Sequence, residues 1–420
     1  MATMLLLWLV VEAQGQVVST ESPFSLYGLG VREFPASVQT LGFGGVNMGY
    51  RSRKTINFYN PASYPYQDSL QLLFEFSGSV GYAQYDYPDG AVRRKPTGGM
   101  GHVAIKFPVT RWLGVAVGFS PLTQVGYDIT RYEQDVKLVS AIGRLRYHHR
   151  GHGGTNQAFV GIGGAPSKYF SLGLNAHYVF GSLDHGQDFY VPSNQLYAQY
   201  SYEDRYVLRG VMLRGAVQAV IPCDTLQRHR VVVGASVDYV PWLQAQRRTE
   251  ATLEYVGTSQ QLMHNALRAT VKLQRPLRYV VGAMYESPIL QAGFDVAYEP
   301  WSSFEMLAMP QPRQAGFEVR AGVQYTPNPV SLRSYAERVQ YRLGGYYERL
   351  PMLLGGRSVY NLGATVGVGL PFGYRQSVFH AAFVVGTRRG VGKIFASELY
   401  CSLHVGVSFN DFWFFKRKYD

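Results

Sequence analysis

Two groups of residues have side chains and spacing that suggest either a metal site or a catalytic site. His148, His149 and His152 lie close together and carry the ring nitrogens that bind metal ions. No cysteine or carboxylate accompanies them, so we interpret them as exposed loop residues and expect no metal site. Ser402 and His404 share one face of a predicted strand, but a hydrolase also needs an orienting group and a nucleophile context. We therefore expect that the protein is not an enzyme.

The cysteines and the glycine-rich pieces predict no cofactor site. Cys223 and Cys401 are too few for a disulfide scaffold and lack metal-ligand spacing, so we interpret both as small structural residues. The segment 151–154 is rich in glycine but does not follow a strand and open a helix, so it is not a phosphate-binding loop. We expect no bound cofactor.

Nine charged residues occupy positions between apolar residues in segments with a period of two. If the large apolar side chains face lipid, these charges face the interior; they are Glu75, Lys106, Arg214, Asp238, Lys272, Asp295, Glu318, Arg320 and Arg342. One interpretation is structural, since such charges pair with each other and with a plug. In the other, Lys106, Arg320 or Arg342 binds the carboxylate of a substrate, but nothing in the sequence singles them out.

Alternation of apolar with small or polar residues is the signature of two-faced strands. One clear case is the segment 361–370. Its apolar residues are Leu362, Ala364, Val366, Val368 and Leu370, and the small or polar residues between them are Asn361, Gly363, Thr365, Gly367 and Gly369. The pattern alone does not distinguish a soluble sandwich from a membrane barrel. Short links such as 110–111 and 166–168 alternate with longer ones such as 86–96 and 184–203, which favours a transmembrane barrel.

The sequence thus predicts an all-β fold, an antiparallel transmembrane β-barrel of about fourteen strands with an N-terminal hatch, or plug. The predicted strands are 69–85, 97–109, 112–130, 138–165, 169–183, 204–222, 229–254, 263–287, 290–300, 314–326, 337–349, 357–371, 375–388 and 395–411. Pro276 must interrupt the eighth strand, and residues 151–154 must bend or break the fourth. With an even number of strands, the start of the first strand and the end of the last strand both lie on the periplasmic side.

Composition agrees with a barrel. Of the 420 residues only 16% are charged, whereas 46 are Gly, 32 are Tyr and 23 are Phe. No stretch after the N-terminus has the roughly 20 apolar residues that a spanning helix needs. An interfacial girdle is predicted from aromatic residues near strand ends, including Trp112, Tyr169, Trp301, Trp413 and Phe415.

The N-terminus predicts export. Residues 4–11 are all apolar and are followed by a small-residue stretch, which fits a signal peptide over residues 1–15. Residues 1–3 lack the usual positive charge, which suggests that the true start lies upstream, and a buried strand is the alternative interpretation. The remaining predicted domains are a hatch over 16–68, a barrel over 69–415 and a periplasmic tail over 416–420. A wide barrel needs such a plug.

Several motifs resemble those of the FadL-type outer-membrane transport proteins, of the Bacteroidetes branch. The main one is Asn60-Pro61-Ala62, which follows a glycine-rich segment and precedes the first strand. The others are Ser25-Leu26-Tyr27-Gly28-Leu29-Gly30, Gly153-Gly154-Thr155-Asn156, His177-Tyr178-Val179-Phe180-Gly181 and Asn410-Asp411-Phe412-Trp413-Phe414-Phe415-Lys416. The resemblance runs from about residue 22 to the end. It implies a fourteen-stranded barrel with an N-terminal hatch, and Asn60, Pro61 and Ala62 as the hatch motif.

Two functions remain open. The resemblance implies passive uptake of hydrophobic or amphipathic small molecules, such as long-chain fatty acids, by a hatch movement that often opens a path sideways into the membrane. The alternative is a non-transporting barrel, a subunit or PorV-like shuttle of an outer-membrane secretion or assembly complex. Its predicted docking surface is the tyrosine-rich loop 188–206.

The basic excess of +12 does not indicate nucleic-acid binding in an exported protein. Predicted outer loops carry basic residues that could bind the phosphates of lipopolysaccharide; they are Arg93, Arg94, Lys95, Arg388, Arg389 and Lys393. We therefore predict a bacterial outer-membrane location, with partners that include a hydrophobic small molecule or lipid, lipopolysaccharide, and envelope proteins.

Overall fold

The computed structural model describes residue 20 and residues 22–412, except residues 69, 88–89, 144, 191–197, 226–227, 256–260, 274, 302–313, 374–376 and 391–395. The predicted signal peptide (1–15) and tail (416–420) lie outside the described residues. So do Trp413, Phe415 and the start of the predicted hatch.

Sixteen strands are described, and nearly all are long. They are β1 (Val31–Arg32), β2 (Gln71–Asp86), β3 (Val92–Thr110), β4 (Leu113–Tyr132), β5 (Arg146–Ser167), β6 (Phe170–Tyr190), β7 (Ala198–Pro222), β8 (Arg230–Tyr255), β9 (Gln261–Lys272), β10 (Arg278–Glu286), β11 (Leu290–Glu299), β12 (Gly316–Tyr325), β13 (Gln340–Leu354), β14 (Arg357–Phe372), β15 (Ser377–Gly390) and β16 (Ser397–Phe412).

The helical elements are short. They are α1 (Val38–Leu41), α2 (Val136–Ile142), α3 (Tyr335–Arg338) and the 3₁₀ turns Pro23–Leu26 and Pro61–Ser63. Two of the α-helices begin at a residue whose side chain accepts a backbone N–H: Ser37 accepts from Thr40, and Asp135 accepts from Lys137. None of the described helices is long and apolar enough to cross a membrane.

Antiparallel pairing closes the sheet into a ring of fourteen strand positions, here called staves. From β2 the ring runs through β3, β4 and β5 to β8, then through β10 to β16, which pairs again with β2. β9 and β10 both pair with β8, so they form one stave that is interrupted around Pro276. The prediction of a closed antiparallel barrel with fourteen strands is confirmed.

Several predicted strand limits were wrong. The fourth predicted strand begins eight residues too early, because its first residues form α2. Residues 151–154 do not break β5; the strand passes through them with Gly153 at φ +114°. The predicted loop 184–203 is mostly strand, since β6 continues to Tyr190 and β7 starts at Ala198.

The apolar side chains cover the outside of the barrel. Large apolar residues on alternate positions remain exposed on strand after strand, for example Val160, Leu172, Phe294, Leu362 and Phe409. Burying this belt in lipid removes the cost of its exposure to water. Trp112 and Tyr169 are exposed at strand ends, as an interfacial girdle requires. Trp301 differs from the prediction, because it is buried.

The two ends of the barrel differ. At the end where β2 begins, here called the turn end, links of two residues join β3 to β4 and β5 to β6. The opposite, loop end carries the long links before β5 and β12. The contrast is incomplete: a tight link joins β13 to β14 at the loop end, and a link of fourteen residues joins β12 to β13 at the turn end.

The wall is uneven in height. β7 and β8 have 25 and 26 residues, whereas β11 and β12, on the other side of the interrupted pair β9–β10, have 10 residues each. A strand rises about 3.3 Å per residue, so the tallest staves extend far beyond what a bilayer needs.

Residues 22–68, here called the N-terminal segment, occupy the interior of the barrel. Contacts with inward-facing wall residues occur on opposite sides of the ring, and almost every residue from 37 to 64 is at least half-buried. The carbonyl oxygens of Met48 and Phe43 press against Gly234 of β8 and Gly322 of β12, where a Cβ atom would overlap them. Glycine at these wall positions therefore lets the segment's backbone touch the wall.

Candidate functional site

The motif Asn60-Pro61-Ala62 forms a capped turn in the middle of the N-terminal segment. Asn60 Oδ1 accepts the Ala62 N–H at 3.1 Å, and Asn60 Nδ2 donates to the Met48 carbonyl oxygen at 2.7 Å. Pro61 opens the 3₁₀ turn, where its fixed φ is favourable and its missing N–H costs nothing. Asn60 and Ala62 are fully buried. The turn thus connects two parts of the segment that are twelve residues apart.

Eight of the nine predicted interior charges lie buried on the inner face of the wall. Each is less than a tenth exposed; they are Glu75, Lys106, Arg214, Asp238, Asp295, Glu318, Arg320 and Arg342. Lys272 differs. It is exposed and pairs with Gln244, between the inward-facing Leu243 and Ala245, so it lies on the outer face. The interruption at Pro276 and a register shift in the β7–β8 ladder change which face each residue takes.

Carboxylates on the wall hold the segment by its backbone. Asp295 accepts the N–H groups of Asn47 at 2.6 Å and Met48 at 3.1 Å, and Glu75 accepts the N–H of Ile56 at 2.8 Å. A buried carboxylate needs such donors, because its desolvation is costly. These contacts attach the segment to β2 and β11, which lie on different sides of the ring.

Two basic residues of the segment pair with groups other than the acidic residues of the wall. Acidic wall residues would be the natural partners of Arg51, Arg53 and Lys54. Arg51 instead donates to the neutral oxygen of Gln218 at 2.9 Å and to Ser171 at 3.1 Å. Arg53 pairs at 3.3 Å with Asp68, within the segment itself.

Glu318 is the centre of a buried ion-pair cluster. Its carboxylate lies 2.7 Å from Arg320, 2.9 Å from Arg278 and 3.1 Å from Arg32 of β1. A neighbouring pair, Arg214 with Asp238, is bidentate at 2.5 and 2.9 Å. Because Arg32 belongs to the N-terminal segment, the cluster fastens β1 to the wall.

A cavity of about 370 Å³ lies above the N-terminal segment, in the loop-end half. Residues 26–32 form its floor and one side, and the wall contributes both apolar and paired charged side chains. The wall residues include Tyr206, Arg247, Arg275, Arg278, Ala297, Glu299, Trp301, Phe317, Glu318 and Met352. Several of its guanidinium groups are paired, for example Arg247 with Asp204 at 2.8 Å and Arg275 with Glu299 at 2.9 Å.

The sequence did not reveal this cavity. Of the three cations predicted to bind a carboxylate, Lys106, Arg320 and Arg342, none lines it. Arg247 and Arg278 do line it, and both lie at inward positions that alternation along β8 and β10 would have indicated. Trp301 also lines it, which explains why this residue is buried.

The wall has a lateral window between β3 and β4. Their ladder runs from Thr110–Leu113 only to Val103–Phe119. Beyond it, among the described strands of the wall, residues 92–100 pair only with β2 and residues 120–132 only with β5. At the loop end, Arg93 bridges the window by donating to the Asp128 carbonyl oxygen at 2.5 Å.

β1 occupies the edge of this window. Val31 pairs with Gln124 and Arg32 with Thr123 of β4, and the Glu33 N–H continues the ladder to the Leu122 carbonyl oxygen at 3.0 Å. Ser25 adds contacts to Gly126, donating to its oxygen at 2.8 Å and accepting from its N–H at 3.0 Å. The segment thus supplies β4 with the partner that β3 no longer provides.

β1 also separates two cavities. A second cavity of about 160 Å³ lies on its other side and reaches Thr97 and Gly98 of β3 and Gln124 of β4, the residues that border the window. Val31 and Arg32 line both cavities. Moving β1 would therefore join the larger cavity to the window.

Glu33 makes the seating of β1 depend on pH. Burial raises the pKa of its carboxyl group from 4.5 to about 7, against the opposing effects of Arg388 and the Phe34 N–H. The seated segment thus binds the proton more tightly than the free segment. The stabilisation is complete below the unfolded pKa of 4.5 and is lost as pH rises through 7.

We expect Glu33→Gln to stabilise the seated segment by about 2 kcal/mol at about pH 8 and to have little effect at about pH 4. Thermal unfolding and protease cleavage of the segment at the two pH values measure this. Glu203→Gln, on the outer face, is the control. A gain for Glu33→Gln that is equal at both pH values would contradict the explanation.

The histidine and serine candidates lie in ordinary polar contacts. His148 lies 3.1 Å from Asp128, and His152 lies 3.1 Å from Asp184, all on the outer face near the loop end. Ser402 Oγ lies 2.9 Å from His404 Nε2 beside the smaller cavity. Within the described part of the chain, no group of His, Cys, Asp or Glu is arranged to hold a metal ion.

The architecture is shared with solved transport barrels. A Pseudomonas aeruginosa FadL homologue matches with a TM-score of 0.59 over 92% of this chain and 99% of its own, at 10% identity. The P. putida toluene transporter TodX gives 0.60 over 91% and 100%, at 14% identity. The Ralstonia pickettii toluene transporter TbuX gives 0.58 over 90% and 98%, at 13% identity.

Identities this low establish the fold alone, which is the FadL-type outer-membrane β-barrel. Assignment to the Bacteroidetes branch stays a prediction. Among curated protein sequences there is no match. The model of one protein family, described as BamG, matches residues 1–420, the whole length of the chain. The chain therefore belongs to the BamG family.

Proposed function

We propose that this barrel takes a hydrophobic or amphipathic small molecule into the larger cavity and releases it sideways through the window when β1 moves. The observation that carries the proposal is the position of β1, which pairs with the free edge of β4 and separates the cavity from the window. Its register covers two residue pairs, so the path opens once this short ladder, its extension at Glu33 and the ion pair of Arg32 with Glu318 are broken.

The cavity lining favours a mainly apolar ligand with a small anionic group. Tyr206, Phe317 and Met352 provide apolar surface. Arg275 and Arg247 also line the cavity and are the groups that would bind a carboxylate. Both guanidinium groups already have carboxylate partners, so an acidic ligand has to compete with Glu299 and Asp204. A long-chain fatty-acid-like molecule fits this description, because its apolar part supplies most of the binding energy.

The direction of passage follows from the packing. Below the cavity the segment is buried against the wall, and the next cavity, beside Asp295 and Arg214, measures only about 20 Å³. A route straight through the turn end would need the whole segment to move. The sideways route needs only β1 to leave β4 and Arg32 to leave Glu318, so we propose release into the membrane.

We further propose that residues 1–15 direct export to the outer membrane, that residues 16–68 act as the hatch of a barrel formed by 69–415, and that the turn end and the tail 416–420 face the periplasm. Asn60, Pro61 and Ala62 keep the hatch compact in this proposal. Exposed Arg94 near the loop end is then available to lipopolysaccharide phosphates. Arg388 is unsuited to that role, because it is buried and paired with Glu398 at 2.8 Å.

A disulfide between β1 and β4 tests the gate. With Cys223 and Cys401 replaced by serine, Val31→Cys and Gln124→Cys place thiols on directly opposed residues. We expect oxidation to abolish uptake of a fluorescent fatty acid by proteoliposomes or cells, and reduction to restore it.

Val31→Cys alone is the matched control and should transport equally under both conditions. Uptake that persists while the disulfide is fully formed rules out β1 as the gate. If the unmodified protein shows no uptake and no ligand co-purifies, the transport proposal itself fails.

A second function is favoured by the buried hydrogen bonds that hold the N-terminal segment to the barrel wall. Asp295, Glu75 and Glu318 each fix the segment to the wall through short hydrogen bonds. A barrel that stays permanently plugged suits a structural subunit of an envelope complex better than a channel. This alternative needs a docking surface for a partner protein.

A further inference from the structure

The link between β12 and β13, residues 326–339, is a folded loop at the turn end and is unusually long for that end. Its two arms are joined by a hydrogen bond from the Asn328 N–H to the Glu337 carbonyl oxygen at 2.8 Å. It is also attached to both neighbouring turns. The Thr326 N–H donates to the Ile289 oxygen at 2.8 Å, and the Tyr335 hydroxyl donates to the Pro371 oxygen at 3.0 Å.

The tip of this loop presents apolar side chains to the outside. Leu332 is 100% exposed and Val330 is 78% exposed, whereas Ser331 between them is buried. The Ser331 hydroxyl accepts the Ser334 N–H at 3.3 Å, and Asn328 Oδ1 accepts the Val330 N–H at 3.3 Å. The backbone is thus held in a shape that turns Val330 and Leu332 away from the protein.

Exposed basic residues accompany this apolar tip at the turn end, one in the loop itself and the others in turns on other sides of the ring. Arg333 is exposed next to Leu332, and the other described turns of the same end expose Arg111, Lys168 and Arg228. The exposed acid Asp68 is already paired with Arg53. The turn end therefore combines a protruding apolar tip, which carries Arg333, with further exposed basic residues elsewhere around the ring.

We propose that the tip of loop 326–339 is a docking site for a periplasmic protein that offers an apolar pocket bordered by acidic side chains. The proposal rests on the orientation proposed above, with the turn end in the periplasm, and does not require transport. Apolar side chains held in the open by an ordered backbone are typical of interface anchors, because they enter a pocket without loss of conformational freedom. Arg333 at the tip, with the other exposed basic residues of the turn end, favours an acidic partner and speeds its association.

A lipid surface is the competing occupant. Tyr325 and Tyr341 are exposed on the outer face at the ends of β12 and β13, where an aromatic belt meets the membrane boundary. The loop follows Tyr325 in the chain and precedes Tyr341, so it extends beyond that belt. This position, with Arg333 at the tip, favours a protein over the acyl chains.

Photocrosslinking in the native membrane identifies the occupant. The full-length protein carries p-benzoylphenylalanine in place of Leu332, and the control carries it in place of Leu138, an exposed residue of α2 at the opposite end. We expect an adduct with one envelope protein from position 332 only. An adduct with lipid alone, an adduct with a second copy of this chain, or no adduct would overturn the proposal.

Binding of the two purified proteins then tests the chemistry. We expect Leu332→Asp to weaken the affinity at least about tenfold, and Arg333→Glu to slow association and reduce its salt dependence. Leu138→Asp should leave binding unchanged. Equal binding by Leu332→Asp and the unmodified protein would refute the docking site. The disulfide test of uptake is independent, so either proposal can fail without the other.

Discussion

Replacing Glu318 by glutamine is expected to lower the free energy of unfolding by about 3–5 kcal/mol, because buried cations would then face no compensating charge. The change removes the carboxylate that lies within 3.1 Å of Arg32 and closer to Arg278 and Arg320. Arg278 keeps a more distant partner in Asp238 at 3.9 Å. Among the described residues no other carboxylate lies within 4 Å of Arg32, so β1 should be the element that loosens most.

Two measurements separate the local effect from the global one. Heat-dependent electrophoretic mobility in detergent gives the stability of the barrel, and limited proteolysis gives the release of the N-terminal segment. Glu203→Gln is the matched control; its pair with Arg205 is exposed and 3.8 Å long, so we expect less than about 1 kcal/mol. If Glu318→Gln and Glu203→Gln show the same barrel stability and the same release of the N-terminal segment, the cluster around Glu318 does not hold the segment.

Adding one methyl group to Gly234 is expected to unseat the N-terminal segment. The new Cβ atom of Gly234→Ala would overlap the Met48 carbonyl oxygen, and backbone cannot swing aside as a side chain can. The clash should cost about 1–3 kcal/mol and should leave a path along β8. We expect faster entry of large antibiotics into cells and a measurable conductance in planar bilayers.

Gly215→Ala on β7 is the matched control, since a Cβ atom there meets nothing within 4 Å. It makes the same chemical change in a neighbouring strand and should leave permeability and stability unchanged. Equal leakage from Gly215→Ala would mean that any change in the wall opens the barrel. No leakage from Gly234→Ala would mean that the segment tolerates displacement at Met48.

The architecture was predictable because alternation reports directly on a wall with two faces. Once large apolar residues such as Leu362 are assigned to the outside, charged residues such as Asp295 and Glu318 must point inwards. The same logic located the interruption at Pro276, since proline cannot donate to a ladder. The turn at Asn60 was readable from the fixed φ of Pro61 and the capping ability of asparagine.

The features that depend on register were not predictable. A shift by one residue exchanges the faces of a strand, so Lys272, beyond the interruption, appears on the opposite face from the one expected. The window depends on how far β3 and β4 stay paired. Pro121 of β4 lies two residues beyond the last pair and cannot donate to a ladder, but we did not use it in predicting the strands. The role of β1 was equally hidden, because two residues are too few to show a period.

The uneven height of the wall has a consequence at the cell surface in the proposed orientation. β8 is longer than β11 by about 50 Å along the strand direction. On the side of β8 the wall therefore extends beyond the mouth of the barrel and covers it laterally. Among the described strands the wall is lowest at β11 and β12, so a ligand, an antibody or a neighbouring protein that diffuses in from the medium meets the least strand wall on that side.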